Sequence, residues 1–220
     1  MARDLNEPLS ALGLLAGVYL WLTKRPALAT APFLLAVLAR ETSLAVIAGI
    51  GLWAVVAGVR ERRLYPVLPA LWLFVPLAVE VLWQAHLGEV WGTPPFRANS
   101  GNVGSPFGFL GSLLSIGPGA AMQLFRLERL VLLGFLVFLL ARLHRSTVPA
   151  DLRMGFVMSC LLVFSLAAWK ADVQFLRGAD EALLLGLLVA MGLPRRERLL
   201  TLAASGVLTG SVAGLYALAA

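Results

Sequence analysis

Residues 25–60 read RPALATAPFLLAVLARETSLAVIAGIGLWAVVAGVR, and the fold turns on how this stretch divides. Thirty-four positions separate Arg25 from Arg60, and the only charges among them are Arg40 and Glu41. Neither half alternates as a strand would, so two helices joined at Ala39-Arg40-Glu41-Thr42-Ser43 are predicted. A helix rises about 1.5 Å per residue and a bilayer core is about 30 Å thick, so two crossings want about 40 residues. The turn carrying Arg40 and Glu41 is therefore expected to lie several ångströms below the membrane surface.

The whole composition supports a membrane reading. Of 220 residues, 60% are hydrophobic and only 14% charged, with mean hydropathy +0.86. Soluble domains run at about 45–50% apolar, glycine included, and about 25% charged. A soluble globular enzyme, a disordered tail and a disulfide scaffold are excluded. Residues 1–220 read as a single integral membrane domain, an all-α polytopic bundle of about eight spans, some short, with an outer-side loop. The net charge of +6 falls in small groups between apolar runs and forms no basic stripe, so no nucleic-acid partner is expected. Cys160 stands alone, and His86 and His144 are far apart with no carboxylate at ligand spacing, so no metal site is read from the residues. The start, MARDLNEP, lacks the basic character of a secretory leader, and the first apolar run is expected to stay in the mature protein.

The apolar runs are Pro8–Thr23, Ala27–Ala39, Leu44–Val59, Tyr65–Leu87, Leu127–Ala141, Met154–Trp169, Ala182–Leu193 and Leu199–Leu218. Loops after the odd runs hold eleven of the 18 basic residues, among them Lys24, Arg62, Arg145 and Arg196. The positive-inside rule makes these loops cytoplasmic and puts both termini outside. The acids are skewed the other way. Only Glu61, Asp151 and Glu197 are clearly cytoplasmic, while Asp4, Glu7, Glu41, Glu89, Glu128, Asp172, Asp180 and Glu181 belong to the outer side. Acids have little influence on insertion, so the outer side is where chemistry is sought.

Between the sixth and seventh runs, Lys170 to Glu181 is polar-rich and leaves its flanking helices short. Charges at membrane depth cost at least about 2.5–3.5 kcal/mol each on insertion scales. Turning both charged hairpin tips toward one water-filled recess relieves that cost. The expected crevice is floored by Arg40 and Glu41 and walled by Lys170 to Glu181, with Asp172 and Asp180 lining it. The alternative is a thinned bilayer with snorkelling side chains. Glu80 and Gln84, four apart on one helical face, either look into the crevice or bind helices together, Glu80 being protonated or paired with a base such as Arg40. The loop from Gly88 to Gly119 is long enough to be functional, and its Arg97 and Asn102 are further crevice candidates. Gly49 and Gly51, and Gly206 and Gly210, read as close-packing positions.

The order of features also resembles a known family. Asp4-Leu-Asn-Glu7-Pro8 precedes an apolar run. Then come Lys24-Arg25-Pro26, a short helix, Leu38-Ala39-Arg40-Glu41-Thr42, and a helix ending Arg60-Glu61-Arg62-Arg63. With Leu82-Trp83-Gln84, Pro95-Phe96, Asn102, Pro106-Phe107 and the late Arg177, this resembles the middle of bacterial GT-C-type polytopic glycosyltransferases and their uncharacterised relatives. The resemblance implies sugar transfer from a polyprenyl-phosphate donor on the outer face of the bacterial inner membrane. It matches Arg40 and Arg177 to phosphate binding, with Lys170 in support, and gives Glu41 a part in orienting Arg40 or touching sugar. In the family an acid of the first outer loop is the base or binds metal. Asp4 and Glu7 are the outer acids that stand nearest that role, and the resemblance leaves room for a divalent cation. The chain begins at what resembles the helix after that loop. An N-terminally shortened member, inactive alone or completed by a partner supplying the missing part, is one expectation, and a purely architectural likeness is the other. A transporter or flippase-like protein and a non-catalytic scaffold are the competing functions.

Overall fold

The computed structural model describes residues 6–62, 67–93, 120–165 and 175–206. The described residues are helical, with no strand among them. In chain order the helices are α1 (Asn6–Leu22), α2 (Pro26–Ala39), α3 (Ser43–Glu61), α4 (Val67–Ala70), α5 (Phe74–Trp91), α6 (Ala120–Arg142), α7 (Ala150–Ser165) and α8 (Phe175–Met191). A ninth, α9, covers 195–206.

The connections follow from local chemistry. α1 ends with Lys24 at φ 62°. The Arg25 amide reaches back to the Leu20 carbonyl at 2.9 Å and the Lys24 amide to Trp21 at 3.0 Å, the bond pattern of a Schellman cap. Pro26 then opens α2, where its missing N–H leaves nothing unsatisfied. α2 stops at Arg40, which is extended at φ −154°, and three short-range amide bonds from Ser43, Leu44 and Ala45 start α3.

Packing rests on small residues. A Cβ on Gly13 would stand 2.7 Å from the Pro32 carbonyl oxygen, and one on Gly17 would overlap the fully buried Phe33 ring. These two glycines, four apart on α1, let α2 lie close along it. Gly49 meets Gly155 in the same way, a Cβ on the former coming within 2.7 Å of the latter's Cα, so α3 and α7 cross in near contact. Gly51 and Gly206, by contrast, have room for a side chain. α8 packs on α7, α6 and α1, and α5 lies against α2. Phe33, Ile47, Ile50, Leu136, Phe156 and Leu185 are fully buried at the centre, and Cys160 is buried among the same residues.

Among the described residues two helices are long and apolar enough to cross a membrane: Ser43–Glu61, and Val67–Trp91, which is α4 and α5 joined through the tight turn Leu71–Leu73. The lengths explain the difference from eight spans. α2 has 14 residues and reaches about 21 Å; α1, α7 and α8, with 16 or 17, reach about 25 Å. α6 has 23 residues but carries Arg126, Glu128 and Arg129 in its first half. In the opening hairpin nearly all of the shortage falls on α2, because α3 is a full 19 residues. Two starts differ from the apolar runs. The helix of the fifth run, α6, begins at Ala120, not Leu127. The helix of the seventh run, α8, begins at Phe175, not Ala182, so Asp180 and Glu181 sit in a helix and not in a polar connection. The buried Ala179, Ala182 and Leu185 give that helix an apolar side, and bonded partners make Glu181 tolerable within it.

Candidate functional site

The turn between α2 and α3 meets the start of α8. Arg40 donates from Nη1 to Asp180 Oδ2 at 2.7 Å, and its Nε lies 3.6 Å from Glu181 Oε1. Glu181 is buried and also accepts from Thr42 Oγ1 at 2.7 Å and from Ser43 Oγ at 3.3 Å. Thr and Ser at the start of a helix commonly turn their hydroxyls onto its free amides. Here no such cap forms, and the hydroxyls are used on Glu181 instead. Ser43, wholly buried, also shares a 2.8 Å bond with Ser10 of α1. One network thus ties α1, the α2–α3 turn and α8, and the two charged tips separated by 140 positions in the chain come together.

On the other side of the turn lies a cleft of about 410 Å³. Its floor is Val37 to Thr42, and its far wall is Glu80, Trp83 and Gln84 of α5. Gln84 donates to Glu80 Oε1 at 2.7 Å, which fixes that carboxylate although it is buried. Glu41 itself is exposed at the turn; partial desolvation against the cleft first, and the nearby Glu80 charge second, push its carboxyl above the ordinary carboxylate range. Trp83, half exposed, leans its ring on His86 with centroids 6.2 Å apart. From Gln84 the helix runs on seven residues to Trp91, about 10 Å, beyond the wall it gives the cleft.

The expected site residues separate as follows. Arg40, Glu41, Glu80 and Gln84 line one cleft. Asp180 is joined to it through Arg40, and Glu7, in the first turn of α1, lies within electrostatic reach of Asp180. Arg177 stands one turn before Asp180 in α8, with its side chain outside the described residues. Asp4, Arg97, Asn102, Lys170 and Asp172 lie outside the described residues. Sequence reasoning passed over Ser10, Thr42, Ser43 and the central part of Glu181. The signal was there: two hydroxyls directly after a charged pair in an otherwise apolar run, and a serine on the α1 stripe that faces them.

Electrostatically the site is acidic. Glu7, Glu41, Glu80, Asp180 and Glu181 gather around Arg40. Arg40 is held by two carboxylates, so an incoming phosphate there would compete with both. Among the described residues no three carboxylates, imidazoles or thiols converge to hold a metal ion. Comparison with protein-family models, with curated proteins and with solved structures finds no match to this chain.

Proposed function

We propose that this chain is an integral membrane protein that receives the polar head of a lipid-linked sugar in the cleft between the Arg40–Thr42 turn and α5. The composition of that cleft carries the reading. Carboxylates, an amide, a hydroxyl and an indole border one space of about 410 Å³, within the roughly 300–1,000 Å³ usual for ligand sites. Carboxylate and amide groups exchange hydrogen bonds with sugar hydroxyls, and an indole covers the apolar face of a sugar ring.

Membrane residence is supported by the two long apolar helices and by the large apolar side chains that α1, α3 and α5 turn outward, Leu12, Tyr19, Val59, Val81 and Leu82 among them. Such surface is unusual on a soluble monomer. In this reading the shorter helices cross or partly cross beside them as a bundle of about eight spans. The basic turns are cytoplasmic, both termini are outside, and the cleft opens outward in the bacterial inner membrane.

The chemistry proposed is transfer from a polyprenyl-phosphate sugar. An acceptor hydroxyl attacks the anomeric carbon, Glu41 takes the hydroxyl proton, and the bond from that carbon to the phosphate oxygen breaks, releasing polyprenyl phosphate. A carboxylate with a raised pKa suits proton uptake better than an ordinary one. Lys170 and Arg177 are the groups proposed for the phosphate.

The test is binding of a polyprenyl-phosphate hexose, and of the same lipid phosphate without sugar, to the full chain in nanodiscs. Glu41→Gln and Gln84→Ala are each expected to weaken the sugar-bearing lipid about tenfold and leave the sugar-free lipid unchanged. Equal affinity for both lipids, unmoved by either substitution, overturns the reading. Transfer should rise with pH through a midpoint above the ordinary carboxylate range, and Glu41→Gln should abolish that acid limb. The excess of carboxylates over Arg40 favours a second reading, transport of a small organic cation. It predicts vesicle uptake that Glu80→Gln abolishes, with no preference for the sugar-bearing lipid.

A further inference from the structure

We propose that the groove at the opposite, basic end of the bundle is a site for one phospholipid carrying an ethanolamine head group. The inference rests on membrane residence and not on sugar binding.

The groove encloses about 500 Å³ between the end of α1, the last half of α3, α4 and the start of α7. Its walls are apolar: Trp53, Ala54 and Ala57 of α3 and Pro69 of α4. A second hollow of about 370 Å³ shares Trp53 and Ala150 with the first; Leu140, Leu143, Met154 and Val157 line it, with His144 and Arg153 as its polar members. Two mainly apolar hollows that meet at one indole suit the two acyl chains of a glycerophospholipid better than a single-chain ligand. From Trp53 to Glu61 the groove follows eight residues of α3, about 12 Å, enough for the head group and the upper part of each chain.

The polar groups are few. Lys24 and Glu61 are exposed, and Asp151 is half-buried. Asp151 is fixed: its Oδ2 accepts from the Trp21 indole at 2.6 Å and its Oδ1 from the Leu152 amide at 2.9 Å. Lys24, the left-handed residue (φ 62°) of the α1 cap, lines the groove. One cation and two carboxylates match a zwitterion. Its phosphate sits against Lys24, and its ammonium, with three N–H donors, bridges Glu61 and Asp151. A phosphoglycerol head would give the carboxylates no cation, and a choline head has the charge but no N–H. Arg25, Arg60 and Arg62 are exposed nearby and attract anionic lipid without regard to shape, so the anionic lipid is the competing outcome.

The groove's own tryptophans report occupancy. The full chain is placed in nanodiscs of phosphatidylcholine with unmodified chains, and phosphatidylethanolamine with brominated chains is titrated in. Saturable quenching is expected, and Trp53→Phe should remove most of the saturable part. Brominated phosphatidylcholine or phosphatidylglycerol should need about fivefold more lipid for the same quenching. Lys24→Ala and Glu61→Gln should bring ethanolamine and choline lipids to the same curve. Equal curves for the three head groups in the native protein, or a preference for phosphatidylglycerol, overturn the site while leaving membrane residence intact. No quenching by any brominated lipid overturns membrane residence, and the site with it.

Discussion

The two ends of the bundle use charge in opposite ways. At the acidic end a single arginine holds two carboxylates, Asp180 at a partly exposed edge (39%) and Glu181 in the interior, and the hydroxyls of Thr42 and Ser43 complete the buried Glu181. At the basic end Arg142 and Arg145 share Glu197 at 3.7 and 2.8 Å, with both guanidinium side chains more than a third exposed. The lesson is about where chemistry can be held. Desolvated charges fix a geometry because breaking any bond leaves an uncompensated group. Exposed pairs exchange freely with water and ions and fix little. The first kind suits a site, the second a loop held on one side of a bilayer.

The largest effect should therefore come from Arg40→Ala, about 3–5 kcal/mol of lost stability, read as a shift of the denaturation midpoint in detergent micelles. Adding Asp180→Asn and Glu181→Gln to that variant should restore a good part of the loss, because the stranded charges go with their partner. A loss under about 1 kcal/mol, with no recovery, would erase the contrast between the ends. Ser43→Ala should come next, at about 1–3 kcal/mol, since it takes one donor from buried Glu181 and the partner from Ser10. The raised Glu41 carboxyl adds a pH dependence of known sign. Its folded form holds the proton to higher pH than the unfolded chain, so its contribution to stability is complete at low pH and is lost as pH rises through the folded value. Glu41→Gln should remove that slope.

Much of the acidic end was legible in the sequence, and for a physical reason. Thirty-four residues are too few for two crossings, and a charged pair in the middle needs partners, so Arg40 and Glu41 pointed at themselves. That the partners would be Asp180 and Glu181 followed only loosely, from the second charged tip. The sequence reading put those two in a connection because local polarity is a guide to loops. The helix absorbs them since its other side is buried and Glu181 finds two hydroxyl donors and the Arg40 charge across the bundle. Of the glycines that bring helices into contact, the sequence reading names Gly49 but not Gly13, Gly17 or Gly155. A glycine in an apolar run looks the same whether a neighbour's backbone touches it, as at Gly49, or open space does, as at Gly206. That distinction exists only once the helices are side by side.

The basic end has one bond of the stronger kind. The Trp21 indole donates to Asp151 at 2.6 Å, joining α1 to α7 from a buried position. Trp21→Phe keeps most of the ring and removes the donor. A bond to a carboxylate of this kind contributes about 1.5 kcal/mol. The loss should be near that figure, smaller than for Ser43→Ala if Asp151 recovers a water in its half-buried place. A loss as large as that of Arg40→Ala would mean that the basic end also holds its charges dry.

Arg145→Ala should have the smallest effect, at most about 0.5 kcal/mol. Its side chain is about half exposed, at 48%, and Glu197 keeps Arg142 when Arg145 is gone. Salt separates this pair from those at the acidic end. Raising ionic strength from about 0.01 to 1 M shortens the screening length from about 30 to 3 Å, so the small contribution of Arg145 should vanish at high salt. The loss caused by Arg40→Ala should change little over the same range, because ions do not reach Glu181. If instead the Arg40→Ala loss shrinks with salt in step with that of Arg145→Ala, the acidic network is open to solvent, and Glu181 is no firmer an anchor for the cleft's turn than Glu197 is for its loop.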